Sequence, residues 1–342
     1  MTTISIPELE QLCLDVLTRA GLRKKDARIT VDHLLENELS GKASHGIIRV
    51  VEAAKAIAKY GTPTKDPEIE TDNGNMVIIN ANRQIGVVAG MVATDIAIER
   101  ARQHGLTLIG ARDYIATSGS LAYYLRRIAD AGLIAIMGCN SVALVAPPGG
   151  KERRIGTNPI GIAIPGENGI DLIGDLGTAA MAYGKMMVAK DMGESLPEGM
   201  MIDKDGNPST NPKDAYDGAI LPLADYKGFA LGLMIELLAG PLIGANAVKS
   251  ELYDNDGLFI IAIDPTKMGH ENYISSVSSA LSRVKDTKAT PGHDAVSLPG
   301  ERSSAALKAA KEHGKINVAD TTLNNLHALK NAGEKTNDKH RH

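Results

Sequence analysis

Apolar positions over residues 4–60 recur at helical spacing. Pro7-Glu8-Leu9-Glu10 opens one helix, and Leu12, Val16 and Leu17 continue its apolar face. Lys25 to Leu39 carries Ile29, Val31, Leu34, Leu35 and Leu39, and a second stripe follows at Ile47, Ile48, Val51, Ala54, Ile57 and Ala58. The Pro-rich stretch from Gly61 to Pro67 ends this helical segment.

The pattern then changes. Met76 to Ala81, Leu106 to Gly110, Leu133 to Met137, Ile160 to Ile164, Asp171 to Gly174 and Leu258 to Ile263 read as strands. Between them lie helical patterns at Gly86 to Gln103 and Ser118 to Ala131, and Asp175-Leu176-Gly177-Thr178-Ala179-Ala180 leads into a helix through Met187. Asp203-Lys204-Asp205-Gly206 is a hairpin signal, Phe229 to Ala239 the most apolar helix, and residues 270–286 and Arg302 to Asn331 read as helical. This alternation predicts an α/β fold of the mixed α+β kind. The charged end, Glu334 to His342, reads as frayed.

Composition narrows the class. With no Trp, two Phe and twelve Met, the core must be aliphatic. A net charge of -4 with interspersed signs argues against a nucleic-acid protein. No uncharged apolar run reaches the roughly 18 residues that span a bilayer, and no signal-peptide pattern opens the chain, with Glu8 and Glu10 so early. Cys13 and Cys139, both in apolar surroundings, read as core thiols in a reducing, cytoplasmic setting.

Candidate chemistry begins at Gly41-Lys42-Ala43-Ser44-His45-Gly46-Ile47-Ile48-Arg49. Gly41 suits a helix end and Ser44 the N-cap of the next helix. His45 then falls in the first turn with Arg49 four residues on, sharing its face. A titratable imidazole beside a permanent cation suits a small carboxylate: Arg49 clamps it and His45 moves a proton. The plain alternative is an N-cap followed by a solvent-facing His and Arg. Several commoner sites are missing: there is no Gly-x-Gly, no P-loop, no metal-ligand spacing and no nucleophile elbow.

The order of segments resembles the type-2 malate/L-lactate dehydrogenase family, the sulfolactate-dehydrogenase-like oxidoreductases. The resemblance rests on Ser44-His45-Gly46-x-x-Arg49, Pro148-Gly149-Gly150-Lys151-Glu152, Gly156-Thr157-Asn158-Pro159, Asp175-x-x-Thr178-Ala179 with Gly184-Lys185, Pro197-Glu198-Gly199, Asp203-Lys204-Asp205-Gly206, Lys227-Gly228 and Pro299-Gly300-Glu301. Each motif is weak alone; the ordered set is specific.

The resemblance implies a non-Rossmann, large mixed sheet with flanking helices over residues 71–269 as the cofactor-binding part. It implies a mainly helical domain in which residues 1–70 pack with 270–342. It also implies a homodimer, with NAD or NADP as cofactor and a small carboxylate as substrate. His45 would donate or accept the proton at the substrate oxygen, Ser44 would bind substrate or orient the ring, and Arg49 would bind the carboxylate. Asp175 would pair with His45 and hold its protonated form. Ser141, Thr157, Asn158, Gly174, Asp175, Leu176, Gly177, Thr178, Lys227, Gly228, Pro299, Gly300 and Glu301 would contact the dinucleotide. No metal is implied.

Physical chemistry bears on part of this. A helix N-terminus disfavours imidazolium, so a His there needs a carboxylate to act as an acid near neutral pH. Asp175 is such a carboxylate, though an N-cap for the segment from Leu176 explains it as well. Lys227-Gly228 suits a phosphate at a helix start, or is a solvent-facing turn.

One departure stands out. Many family members have a second His before the helix that begins with a Tyr pair; here Thr117 occupies that position, ahead of Tyr123-Tyr124. Thr117 can hydrogen-bond substrate but cannot accept a proton near neutral pH. The expected activity is therefore an NAD(P)-dependent interconversion of a small 2-hydroxy acid and its 2-oxo acid. A cyclic 2-imino-acid reductase and a dinucleotide-binding protein with little turnover are the alternatives.

Overall fold

The computed structural model describes residues 1–167, 172–249, 251, 253 and 255–332. Asp171 and the segment from Glu334 to His342, both given a reading above, lie outside the described residues. The chain opens with a short strand, β1 (Thr2–Ser5), then α1 (Ile6–Arg19), α2 (Lys24–Leu39) and α3 (Ile48–Tyr60). Next come β2 (Glu68–Asp72), β3 (Met76–Asn80), α4 (Gly86–His104), β4 (Leu106–Tyr114), α5 (Leu121–Asp130), β5 (Ile134–Cys139), β6 (Ile160–Ile164), β7 (Leu172–Leu176) and α6 (Tyr183–Met192). Three two-residue strands follow, β8 (Met201–Ile202), β9 (Pro208–Ser209) and β10 (Ala219–Ile220). The chain continues through α7 (Tyr226–Ala239), β11 (Asp256–Ile263), α8 (Tyr273–Lys285), α9 (Glu301–His313), β12 (Lys315–Val318) and α10 (Asp320–Ala332).

The centre is a 7-stranded sheet in the order β2-β3-β4-β11-β5-β6-β7. Its neighbours pair antiparallel except β3 with β4. In β11 the two-residue period is explicit: Leu258, Ile260 and Ala262 pack in the cluster built with α4 and α5, while Phe259 and Ile261 pack with Ile235 and Ala239 of α7. Both faces are covered, so β11 reads as one apolar run rather than as an alternation. Gly138 in β5 makes room for this layer, since a Cβ there would sit 2.8 Å from the Phe259 ring.

A second cluster joins the two ends of the chain. Leu9, Leu17, Leu34, Val50 and Ile57 of the first three helices pack with Leu307 of α9, Val318 of β12 and Leu323 and Leu326 of α10. β1 and β12 pair antiparallel, Thr2 opposite Val318. Neither strand was expected, because each is too short to show a period. β12 also splits the helix read from Arg302 to Asn331. Ser5 caps α1 with a reciprocal bond to Glu8.

The stretch Tyr226–Ile243 is long and apolar enough by composition to cross a membrane, and 39% of it is buried. Its middle is anchored to the sheet. Glu236 is fully buried and accepts hydrogen bonds from Asn158 Nδ2 at 2.6 Å and from the Val248 amide at 2.9 Å. Nearby, the buried Lys249 ammonium donates to Asn140 Oδ1 at 2.9 Å and pairs with Asp256.

Candidate active site

The loop between α2 and α3 builds the site. α2 ends at Leu39, the chain reverses at Gly41 with φ 76°, and Ala43–His45 form one 3-10 turn. α3 starts only at Ile48, so Ser44 is not its N-cap and His45 is not in its first turn. The half-buried Glu38 carboxylate explains the difference: it accepts the Ile47 amide at 2.9 Å and fills the place of a cap. It also sits where a Cβ on Gly46 would lie, 2.0 Å away.

Freed from capping, the Ser44 hydroxyl bonds His45 Nδ1 at 3.0 Å. His45 Nε2 makes no hydrogen bond among the described residues, so it is the nitrogen available to a ligand. Arg49 comes in from the first turn of α3. Its Nε donates to the Ser44 carbonyl at 2.7 Å and its Nη1 to Glu52 at 2.5 Å. Arg49 and His45 thus share one site, but through the Ser44 backbone rather than through spacing along a helix.

Asp175 enters from β7, as a strand residue and not as a helix N-cap; the helix expected to follow it begins at Tyr183. Its Oδ2 accepts from Ser120 Oγ at 2.7 Å, Lys42 Nζ at 3.0 Å and the Ala122 amide at 3.2 Å. No hydrogen bond joins Asp175 to His45, although its charge still favours the protonated ring. A lysine from the same turn as the histidine pairs with the carboxylate instead.

The electrostatics follow. Burial pushes the His45 imidazole down to about 4, with the Arg49 and Lys42 cations adding to the drop and Asp175 opposing it. Burial would raise the Asp175 carboxyl, but Lys42, Ser120 and the Ala122 amide outweigh it and hold the group below its ordinary value. At neutral pH the site contains a neutral imidazole, an ionised carboxylate and two cations.

Sequence reasoning missed His33, Lys42 and Ser120. His33 is fully buried in α2; its Nε2 accepts the Ser120 amide at 3.1 Å and its ring packs on Tyr123 and Tyr124. Gly119 gives it room, since a Cβ there would lie 2.0 Å from Nε2. His33 Nδ1 has no hydrogen-bond partner among the described residues, and burial holds the ring down to about 3. The available signal was the spacing of Thr30, His33 and Asn37, a polar stripe on an otherwise buried helix face. The Thr117 hydroxyl accepts the Gly119 amide at 2.9 Å, within the turn before α5, and keeps its own proton to donate.

The expected cofactor residues form a second group beyond Asp175. Thr178 donates its amide to the Thr157 carbonyl at 3.1 Å and its hydroxyl to the Asn158 carbonyl at 3.1 Å. Asn158 is fully buried, its Nδ2 tied to Gly232 and Glu236, and Thr178 is buried too. Asn158 Oδ1 is buried and has no hydrogen-bond partner among the described residues. The half-buried Ser141 packs against Gly156, where a Cβ would come within 2.4 Å of its hydroxyl. Gly174, Leu176, Gly177 and Lys227 keep open surface, and Gly228 lies tight under Leu223 at the start of α7. Gly300, with φ 92°, packs on Ile173 of β7, while Glu301 pairs with Lys285 and Pro299 is exposed.

A dinucleotide fits this surface. A Cβ at Gly174 would meet nothing within 4 Å, so the surface next to Asp175 is bare backbone bordering open space. Lys227 in the first turn of α7 adds a cation to the positive end of a 14-residue helix.

The sequence profile of malate/L-lactate dehydrogenases matches residues 4–327. The chain belongs to the malate/L-lactate dehydrogenase family. It is 36% identical over 321 residues to the malate/(S)-sulfolactate dehydrogenase of Methanothermus fervidus, covering 91% of this chain and 92% of that one. Among solved structures it is similar to sulfolactate dehydrogenase from Methanocaldococcus jannaschii, with a TM-score of 0.85, 30% identity and coverage of 97% and 98% of the two chains. It is also similar to delta1-piperideine-2-carboxylate reductase from Pseudomonas syringae, with a TM-score of 0.83, 28% identity and coverage of 96% and 100%. The chain is an oxidoreductase of the hydroxy-acid dehydrogenase class, using a nicotinamide nucleotide and a small-molecule substrate.

Proposed function

We propose that this enzyme interconverts a small 2-hydroxy acid and its 2-oxo acid, with His45 exchanging the proton at the substrate oxygen and Arg49 binding the carboxylate. The observation that carries this reading is the convergence of the two side chains on the Ser44 turn, with His45 Nε2 left open. Arg49 presents a planar cation, the geometry that clamps a carboxylate. Ser44 fixes the imidazole through Nδ1 and so directs Nε2 at the reacting oxygen.

In the oxidative direction the neutral His45 accepts the hydroxyl proton. In the reductive direction it must first be protonated. A bound carboxylate offsets the Arg49 charge and so favours the imidazolium. When bound, NAD or NADP supplies the hydride acceptor or donor. Gly174, Leu176, Gly177, Ser141, Lys227 with Gly228, and the turn at Pro299-Gly300 would hold the dinucleotide, on a sheet whose mostly antiparallel order is not the Rossmann arrangement.

The division into a cofactor-binding part over residues 71–269 and a helical part from 1–70 with 270–342 belongs to the same proposal, supported by the cluster that packs the first three helices with α9, β12 and α10; Ile85, Val87, Val88 and Ile115 join that cluster across the boundary. So does a homodimer. α7 leaves Tyr226, Met234 and Leu237 more than half exposed, an apolar face that a second copy suits. A cytoplasmic setting suits the two buried free thiols.

The test is oxidation of NADH and NADPH with a panel of 2-oxo acids carrying short, acidic or sulfonated tails. Turnover with at least one, well above a cyclic 2-imino acid, is expected. A preference for the cyclic imine would move the chain to the reductase reading, which its likeness to the piperideine-carboxylate reductase favours. Tight dinucleotide binding without turnover would overturn both.

A further inference from the structure

Lys42 has no place in the reading above, yet its ammonium lies inside the site. It is 3.0 Å from Asp175 Oδ2 and 3.2 Å from Ser120 Oγ, with its side chain about three-quarters buried. The Ser120 hydroxyl and the Ala122 amide converge on the same Oδ2. Asp175 Oδ1 receives no hydrogen bond among the described residues. The carboxylate is thus tied from one side by groups of three segments: the His45 turn, the residue before α5, and α5 itself. Ser120 is fixed in turn, because its amide is held by the buried His33. His45 is left without a hydrogen-bonded anionic partner among the described residues.

We propose that Lys42 is a positioning residue: by holding Asp175 against Ser120 it keeps that carboxylate from pairing with His45, and so sets the resting site as a proton acceptor for a 2-hydroxy acid. The proposal rests on the 2-hydroxy-acid reading and deepens it by naming the protonation state in which the free enzyme meets its substrate. In that direction the hydroxyl O–H bond breaks and its proton goes to His45. The electron pair of the carbinol C–H bond leaves as hydride to the oxidised nicotinamide. Lys42 takes no part in either transfer; it decides where the negative charge of Asp175 is spent.

The other charged and titratable groups around the His45 turn do not supply the missing anion. α2 brings His33, Glu36 and Glu38. Glu38 is engaged with the Ile47 amide, and Glu36 faces Arg126. α3 brings Arg49 paired with Glu52. α6, which packs on the turn through Gly184 against Ser44, carries Tyr183, Lys185 and Lys190. Asp175 on β7 is the carboxylate whose charge acts on the His45 ring, and Lys42 opposes it.

The experiment is a histidine NMR titration of the unliganded enzyme, wild type against Lys42→Met, with the His45 signal identified by its loss in His45→Gln. His45 in Lys42→Met is expected to take up its proton about one pH unit or more above the wild type, the size of effect a single adjacent charge produces. Lys42→Arg, which keeps a cation on Asp175, is expected to restore the wild-type titration. At saturating substrates, Lys42→Met is expected to raise kcat for 2-oxo-acid reduction relative to kcat for 2-hydroxy-acid oxidation at neutral pH, with KM values shifting to keep the overall equilibrium unchanged. An unchanged His45 titration in a folded Lys42→Met protein would overturn the proposal. Should that variant not fold, Lys42→Gln gives the same comparison. A shifted titration in an enzyme that turns over no hydroxy or oxo acid would leave Lys42 in place and remove the 2-hydroxy-acid reading instead.

Discussion

The ammonium of Lys42 lies 3.0 Å from the carboxylate of Asp175, and that carboxylate makes no hydrogen bond to His45. A paired carboxylate would stabilise imidazolium; a carboxylate already neutralised by lysine does so only at longer range. The free site therefore holds a neutral imidazole between two cations. Binding an anionic substrate on Arg49 changes that balance, so affinity and proton transfer are coupled in one small volume.

Arg49 is expected to control substrate affinity and not cofactor affinity. Arg49→Lys keeps the charge but loses the two-pronged geometry. KM for the 2-oxo acid should rise about ten- to a hundredfold, the equivalent of one charge-assisted hydrogen bond. Dinucleotide binding by fluorescence should change little. Equal weakening of both would place Arg49 elsewhere.

Acid should destabilise the fold before the carboxylates titrate. His33 and His45 are held down to about 3 and about 4 in the folded chain, below the ordinary histidine value. Between that ordinary value and the folded values the unfolded chain binds more protons. Stability is therefore fully present above about pH 6.5 and is lost as pH falls. At pH 5 each ring removes on the order of 2 kcal/mol. Urea midpoints at pH 7.5 and 5 read this. His33→Gln should flatten the pH dependence by about half, even though it lowers the midpoint at both.

Lys249 and Asp256 form a buried ion pair, with lysine 1% and aspartate 8% exposed. Lys249→Met leaves a buried carboxylate without its cation and should cost about 3–5 kcal/mol in urea denaturation. The double variant Lys249→Met with Asp256→Leu should recover part of that loss. A single variant as stable as wild type would mean the charge is screened in some other way.

The exposed side of α7 should hold two copies together. Leu237→Glu, a change on the solvent side of a helix whose Glu236 faces inward, should convert the dimer to monomer in sedimentation analysis. A chain already monomeric as wild type would remove the dimer proposal.

The mixed α/β architecture was legible where elements are long. Gly86 to Gln103 and Phe229 to Ala239 are longer than an ordinary strand and free of Pro, and β11 is one apolar run because Leu258 and Phe259 face different covered layers. β1 and β12 were not legible: their pairing joins Thr2 to Val318, and each is 4 residues long. At the site, residue types were legible and partners were not. Ser44 carries a strong capping signal, but Glu38 meets the Ile47 amide from the preceding helix, a contact no local rule contains. Asp175 meets Lys42 rather than His45 because β7 and the loop after α2 converge, and their separation along the chain hides that from any spacing argument. The ties of Asn158 Nδ2 to Gly232 and Glu236 were not legible either, because they join residues more than seventy positions apart.

The most direct test of the account is turnover by His45→Ala in an enzyme that still binds its dinucleotide. Steady-state oxidation of NADH or NADPH with the best 2-oxo acid should fall by about a hundred- to ten-thousandfold, the usual loss when a positioned acid–base group is removed. Dinucleotide fluorescence should stay at the wild-type value. Turnover equal to wild type would take His45 out of the chemistry and with it the site described around Ser44, Arg49 and Asp175.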